Sequence, residues 1–160
     1  MPLSLEQVVD RVEIIETVNK FSWAIDTQRP PQAMLSEVFV PDMQFGLSRE
    51  PLSIGSSDAI KLMPMGLDAF AGFIEKIQGK YSATQHHNTN SVVTFTGEGT
   101  AFVKTYAANF HVKQDKDGGG HFDFHGVYED EMIKTPEGWR IKARKQYPFY
   151  IEGSPAPDPA

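Results

Sequence analysis

The feature that most constrains the fold is a pair of strand-like segments in residues 82–111, separated by the turn Gly97-Glu98-Gly99. Glycine and polar residues at such a point are typical of the tight turn of a β-hairpin, so we predict two long antiparallel strands. If the last two turn residues form the loop, His86 lies directly opposite His111 on one face of the sheet. A one-residue slip would place the two side chains on opposite faces, so this prediction depends on the register.

The first of these strands carries a polar run, because the alternate residues His86, Asn88 and Asn90 precede Val92 on the same predicted face. Buried polar groups cost free energy unless they are hydrogen-bonded. A run of this kind on a long strand is difficult to explain by packing alone, and it favours a functional role.

Helical periodicity dominates the part of the chain before the hairpin. Apolar spacing predicts a first helix from Leu5 to Asp26, with Ser4 and Gln7 forming a capping box at its N-terminus. A short second helix is predicted over residues 32–39, and a third over residues 67–79.

The remaining segments complete an α+β arrangement. We predict a short strand at residues 43–47, an irregular loop or lid at residues 49–65, and two later strands at residues 121–134 and 139–150. With the hairpin, the later strands form a four-stranded antiparallel meander after the helices. If the sheet curls around the helices, its concave side becomes a cone with one open end.

Length and composition limit the function classes. The 160 residues predict one domain at residues 1–150 and a proline-rich tail at residues 151–160, mobile unless it covers the pocket or a neighbour. The net charge of −6 argues against nucleic acid or a membrane as partner. The chain has no cysteine, a signal-peptide pattern is missing, and no phosphate loop or dinucleotide fingerprint appears. We therefore expect a cytoplasmic protein without a cofactor.

Asp26 occupies an unfavourable position at the end of the first helix, where the helix dipole disfavours negative charge. A locally unfavourable residue of this kind hints at a functional role. The alternative is that Asp26 only caps the turn at residues 27–31, and the sequence leaves both interpretations open.

Several short motifs occur in order along the chain. They are Trp23-Ala24-Ile25-Asp26, Val38-Phe39-Val40-Pro41-Asp42, Thr84-Gln85-His86, Phe110-His111, Gly126-Val127-Tyr128-Glu129-Asp130 and Gly138-Trp139-Arg140-Ile141. Together they resemble the scytalone dehydratase and SnoaL-like families, which share a superfamily with ketosteroid isomerase and nuclear transport factor two. The resemblance implies a cone-shaped half-barrel, with N-terminal helices packed in the concavity of a curved antiparallel sheet.

The resemblance also implies roles for individual residues. Asp26 corresponds to the family's acid, His86 to the histidine of its Thr-Gln-His motif, and His111 to its second histidine. The segment from His86 to Asn90 is similar to one in the hexachlorocyclohexane dehydrochlorinases. The tyrosines that scytalone dehydratase places near its acid have no counterpart at Ile25 or in residues 45–47, so we do not expect scytalone itself to be the substrate.

These residues predict proton abstraction next to a carbonyl, followed by loss of a β-oxygen or by isomerisation. A neutral imidazole, with its ordinary pKa of about 6.5, is a competent base at pH 7, and a carboxylate bonded to its other nitrogen fixes the tautomer. We assign His86 as the base and Asp26 as its orienting partner. The expected substrate-binding residues are Trp23, Phe45, Phe70, Asn88, Phe110, His111 and Tyr128. We expect a small hydrophobic substrate, either cyclic or of a polyketide or steroid-like kind.

The remaining histidines, with Arg144 and Trp139, are expected to lie outside the site. We predict that His87 lies at the surface, that His121 and His125 face solvent or a neighbouring subunit, that Arg144 lies on a solvated strand, and that Trp139 is structural. A zinc site is not expected, because neighbouring histidines on a regular strand cannot both point inward. The alternatives to a dehydratase or isomerase are a binding or dimerisation module and a polyketide cyclase. We expect a homo-oligomer, either a dimer or a trimer.

Overall fold

The first helix has the bounds that the sequence predicts. In a computed structural model that describes residues 2–27 and 32–157, helix α1 spans Leu5–Asp26. The Ser4 side chain accepts a hydrogen bond from the Gln7 backbone, and the Gln7 side chain accepts one from the Ser4 backbone. The capping box is therefore confirmed, whereas most of the turn at residues 27–31 lies outside the described residues.

The middle of the chain is more ordered than the sequence predicts. Helix α2 spans only Gln32–Leu35, because Phe39 already belongs to strand β1, Phe39–Leu47. The predicted loop at residues 49–65 contains a 3-10 turn, Ser57–Ala59, and strand β2, Met63–Pro64. Helix α3 follows at Leu67–Gln78, as predicted.

In the part of the chain that the structure describes, six strands form one curved, open sheet. Strands β3 (Tyr81–Gly97), β4 (Thr100–Lys113), β5 (His121–Thr135) and β6 (Gly138–Gly153) make the predicted antiparallel meander. Strand β1 adds to β6 in parallel and β2 adds to β1, so the order is β2-β1-β6-β5-β4-β3 and the sheet is mixed. The helices pack in its concavity, which confirms the predicted α+β cone.

The hairpin register differs from the prediction. His86 pairs with Asn109, and His111 pairs with Thr84. Irregularities between Phe95 and Gly97 and between Thr89 and Val92 each offset the pairing by one residue. Together the two offsets shift the pairing by two residues, so His86 and His111 stay on the same face of the sheet but are diagonal neighbours. The prediction that they lie directly opposite each other is therefore wrong.

Trp139 joins the start of β6 to the first helix. Its indole is 1% exposed and donates to Asp10, while its backbone N–H donates to Glu13. The predicted structural role of Trp139 is confirmed.

Arg144 is fully buried, and the prediction of a solvated strand position is wrong. Its guanidinium donates two hydrogen bonds to Asp130, at 2.7 and 2.9 Å, and lies against the rings of Phe21 and Tyr128. Strand β6 has an irregularity opposite Glu131 and Met132, which turns the Arg144 side chain inward. Its neighbours Lys142 and Lys145 are exposed and half-buried, respectively.

The segment after β1 crosses to the outer, convex face of the sheet. Ile60 packs there on Val127 and Tyr147, and Ser57 donates to the buried carboxylate of Glu129 at 2.5 Å. This covering layer explains why outward-facing residues of β5 are buried.

The chain after β6 returns to the open end of the cone. The Ala156 backbone N–H donates to the Tyr81 hydroxyl at 3.4 Å, and Ala156 is 4% exposed. None of the described helices is long and apolar enough to cross a membrane.

Candidate active site

A cavity of about 780 Å³ opens between the helices and the concave face of the sheet. Its apolar wall includes Ile25, Phe45, Phe73, Phe122 and Phe124. Its polar lining residues on β3, β4 and β5 are Tyr81, His86, Asn109, His111 and Tyr128. Further polar lining residues lie elsewhere, among them Arg49, Glu50 and Gln146. Pro155 and Ala156 of the tail also line the cavity, so the tail covers part of it.

His86 lines this cavity and is in direct contact with Asp26. The Oδ1 atom of Asp26 lies 2.6 Å from Nδ1 of His86, and its Oδ2 atom accepts the His86 backbone N–H at 2.7 Å. Thr84 donates to the same carboxylate at 2.9 Å. The His86 side chain is 5% exposed and that of Asp26 is 20% exposed. The contact is present as predicted, while the catalytic roles remain predictions.

The donors from β3 explain how a carboxylate is tolerated at the end of α1. Burial raises the pKa of Asp26, but the hydrogen bond and charge of His86, with the bonds from the His86 backbone and Thr84, lower it to below its ordinary value of 3.8. Asp26 is therefore ionised at neutral pH. An ionised Asp26 requires the proton of a neutral His86 ring on Nδ1, which leaves the lone pair of Nε2 free.

His111 provides a second neutral imidazole. Its ring centre lies 5.3 Å from that of His86, and its Nδ1 donates to the Phe122 carbonyl at 2.9 Å. Burial, followed by the charge of His86, lowers the pKa of His111 to about 4. At neutral pH the Nε2 atom of His111 is thus a hydrogen-bond acceptor.

Asn109, which the sequence argument missed, lies directly opposite His86. Its amide nitrogen donates to the Tyr128 hydroxyl at 2.6 Å, its amide oxygen has no hydrogen-bond partner within residues 2–27 and 32–157, and the residue is 2% exposed. Burial raises the pKa of Tyr128 to about 12, so that hydroxyl keeps its proton. The sequence does carry a signal for Asn109, since it lies two residues before His111 on β4 and therefore shares its inward face.

Four of the predicted substrate-binding residues do not line the cavity. Trp23 is 69% exposed on the outer side of α1, and Phe70 is 0% exposed in the core behind Phe45. Phe110 lies on the outer face between the rings of His87 and His125, because it alternates with inward-facing Asn109 and His111.

Asn88 is the fourth correction. It donates to the Val18 carbonyl at 3.0 Å and to the Ser22 hydroxyl at 2.9 Å, so it fastens β3 to α1 instead of facing a ligand. Phe45, His111 and Tyr128 line the cavity as predicted.

The other histidines lie outside the cavity. His87 is exposed, and the side chain of His121 is 57% exposed. His125 is half-buried on the outer face, where it stacks on Tyr150. Among the described residues, one group could hold a metal ion, Asp123, His125 and Glu152, and it does not include the cavity histidines.

Comparison with known proteins identifies the family. The SnoaL-like domain model matches residues 6–145. No curated protein matches the chain. A candidate scytalone dehydratase from Novosphingobium aromaticivorans has a similar structure, with 21% identity and a TM-score of 0.73 over 96% of this chain and 94% of that one.

Two further solved structures have the same fold. A hexachlorocyclohexane dehydrochlorinase from Novosphingobium barchaimii is 12% identical, with a TM-score of 0.73 over 92% of each chain. A nuclear transport factor 2-like superfamily protein from Salmonella enterica is 19% identical, with a TM-score of 0.71 over 92% of this chain and 96% of that one. At these identities the likeness establishes the fold.

Proposed function

Because the chain belongs to the SnoaL-like domain family, we propose that it is a cofactor-independent lyase or isomerase of the dehydratase kind. The observation that carries the proposal is the contact of 2.6 Å between Asp26 and His86, with His86 lining a largely apolar cavity. A module that only binds a ligand has no need of a carboxylate and an imidazole directed at one point.

The first step is proton transfer from carbon to His86. Nε2 removes a proton from the carbon next to the substrate carbonyl, and Asp26 stabilises the imidazolium that forms. The electron pair of the broken C–H bond moves onto the carbonyl oxygen as an enolate, and it then forms the carbon–carbon double bond as the β-carbon–oxygen bond breaks. The imidazolium returns its proton to the departing oxygen, so water leaves and His86 is again neutral. Return of the proton to another carbon would give an isomerisation.

The neighbouring polar groups suit the substrate's oxygens. The Tyr128 hydroxyl keeps its proton, so Tyr128 and the Asn109 amide can donate to the carbonyl oxygen, where negative charge develops. His111 accepts a hydrogen bond at Nε2 and therefore suits a substrate hydroxyl. Tyr128 and Asn109 thus take the place of Asn88 and Trp23, which the sequence predicted to bind the substrate.

The size and lining of the cavity support a proposed substrate class. A volume of about 780 Å³ lies within the range of about 300–1,000 Å³ that is usual for small-molecule sites. Its aromatic wall, formed by Phe45, Phe73, Phe122 and Phe124, favours a flat hydrophobic molecule. We propose a cyclic β-hydroxy ketone of polyketide or steroid-like size.

The test uses a panel of cyclic β-hydroxy ketones in D₂O. Proton NMR follows two events, exchange of the proton next to the carbonyl and loss of the β-hydroxyl. We expect both for at least one compound, and a loss of about 10²–10⁴-fold in rate for His86→Gln. His87→Gln is the matched control, because His87 is the exposed neighbour on the same strand.

The outcomes separate the candidates. Saturable binding with neither exchange nor elimination would support a binding module and overturn the proposal. Ring closure of an open-chain polyketide without elimination from the cyclic ketones would instead support a cyclase.

Assembly as a homo-oligomer is part of this proposal. Exposed apolar side chains lie on the outer sheet face at Val92, Tyr106 and Val112, and on α1 at Val9 and Val12. Such side chains on two surfaces favour burial against further copies of the chain. Sedimentation equilibrium would distinguish a dimer or trimer from a monomer.

A further inference from the structure

The outer face of β5 carries three alternate residues with metal-binding side chains, His121, Asp123 and His125. Glu152 of β6 pairs directly with Asp123. One ligand atom from each of Asp123, His125 and Glu152 lies within 4.8 Å of the others. His121 Nδ1 lies 2.9 Å from the Oδ2 atom of Asp123. The two strands thus bring two carboxylates and two imidazoles together at one point.

The carboxylates of Asp123 and Glu152 face each other, and few positive charges of the described residues lie nearby to offset their repulsion. Like charges directly opposite across two strands are destabilising. Within residues 2–27 and 32–157, His121 is the ion-pair partner of Asp123, and Glu152 has no ion pair. Asp123 is also only 8% exposed, so solvent screens its charge poorly. A divalent cation between the carboxylates would remove this repulsion.

We propose that Asp123, His125 and Glu152 bind a divalent transition-metal ion, with Zn²⁺ as the best-fitting case. Zinc takes imidazole nitrogen and carboxylate oxygen at about 2.0–2.2 Å, so its ligand atoms lie about 3.4 Å apart, within reach of small side-chain rotations here. The imidazole favours zinc, nickel or copper over magnesium and calcium. Three protein ligands leave one tetrahedral position for water.

The neighbouring contacts hold two of these ligands in place. The His125 ring stacks on Tyr150, with ring centres 4.2 Å apart and planes 9° from parallel. His121 bonds to Asp123 and acts as the outer partner that orients a ligating carboxylate. The side chains of His125 and Asp123 therefore lose less conformational freedom when an ion binds.

The site lies on the opposite side of the sheet from the cavity. Phe122 and Phe124 alternate with the proposed ligands along β5 and line the cavity, and Ile151 lines it just before Glu152. The ion would link the start of β5 to the end of β6 on the far side of the cavity wall, and it would take no part in proton transfer. Zinc was considered for the five histidines of the sequence and not expected, because the grouping of His125 with two carboxylates depends on the β5–β6 register.

Calorimetric titration of tag-free, chelator-treated protein with Zn²⁺ tests the proposal. We expect one Zn²⁺ per chain, and weaker or no binding of Mg²⁺ and Ca²⁺. His125→Gln and Glu152→Gln should each weaken zinc binding at least about 10-fold, and His121→Gln by about 10-fold. His87→Gln and Glu131→Gln are matched controls, because both residues are exposed and lie outside the group.

Titration with Co²⁺ provides a second measurement, since visible d–d absorption reports coordination directly. The absorption should appear with the parent protein and both controls, and should be lost in His125→Gln. Absence of saturable zinc binding, or equal zinc affinity in the parent, His125→Gln and Glu152→Gln, would overturn the proposal. Because the readouts do not involve turnover, they are independent of the proposed enzymatic function.

Discussion

His86 lies opposite Asn109 across the β3–β4 ladder, two positions away from pairing with His111. Two irregularities in the ladder produce this offset, and one of them contains Asn90 at a φ of 53°. Before Asn90 the inward residues of β3 are Thr84, His86 and Asn88, and beyond it they include Val93. Of these, His86 lines the cavity, while Thr84 and Asn88 bond to residues of α1. The bulge therefore allows the inward face of one strand to change from polar residues to apolar residues of the core.

The backbone of Asn90 gives the first prediction. Valine at a left-handed position costs roughly 1–2 kcal/mol, whereas glycine adopts that conformation without this cost. We expect Asn90→Val to lower the free energy of unfolding by about that amount and Asn90→Gly to change it by only a few tenths. Urea denaturation measures both, with Thr89→Val at an exposed neighbour as control. Equal stability of Asn90→Val and the parent would contradict the bulge.

The sequence predicts the fold well because most of its signals are local. The capping box at Ser4, the apolar spacing of α1 and the glycine turn after β3 depend on a few neighbouring residues each. The Asp26–His86 pair was also predictable, through motifs that resemble a known family. Positions that depend on a bulge were not predictable, and this explains both the diagonal placement of His86 and His111 and the inward turn of Arg144.

Asp26→Asn tests the orientation of the base. An amide can donate to Nδ1 of His86, which would move the ring proton to Nε2 and leave no lone pair facing the cavity. We expect elimination to slow by about 10²–10⁴-fold with the fold retained. The rate is measured on the ketone identified in the panel, with exposed Asp42→Asn as control. Turnover of Asp26→Asn at the parental rate would refute the assigned role.

Asn109 and Asn88 should respond differently to the same substitution. Asn109→Leu removes a donor from the cavity, so we expect the elimination rate to fall. Asn88→Leu removes two hydrogen bonds to α1, so we expect a loss of about 1–3 kcal/mol in stability and a smaller effect on the rate. Steady-state kinetics and urea denaturation on both variants measure the difference. The reverse pattern would restore Asn88 as the ligand-binding residue.

The ion pair of Arg144 and Asp130 should be costly to break but not to replace. Both side chains are 0% exposed, so Asp130→Asn leaves a buried guanidinium without its counter-charge. We expect a loss of about 3–5 kcal/mol, and recovery of most of it in the double variant Asp130→Leu, Arg144→Met. Lys142→Met, at an exposed position of the same strand, should stay within about 0.5 kcal/mol. If the double variant were no more stable than Asp130→Asn, specific geometry and not charge burial would explain the loss.

His111 gives the protein a pH-dependent stability. Burial, with the charge of His86, lowers the pKa of His111 to about 4, whereas the unfolded chain has the ordinary value of 6.5. Between these values the unfolded state binds a proton that the folded state does not, so stability falls as the pH falls from about 6.5 to 4.

The difference of about 2.5 between these pKa values corresponds to about 3 kcal/mol, since one pKa unit is 1.36 kcal/mol. Asp26 does not contribute here, because its pKa lies below 3.8 and its stabilisation is lost only at lower pH. Urea denaturation at a series of pH values measures the slope. His111→Gln cannot titrate and should flatten it, while His87→Gln, at an exposed position, should keep it. An unchanged slope in His111→Gln would mean that His111 titrates near its ordinary pKa and can be charged in the cavity.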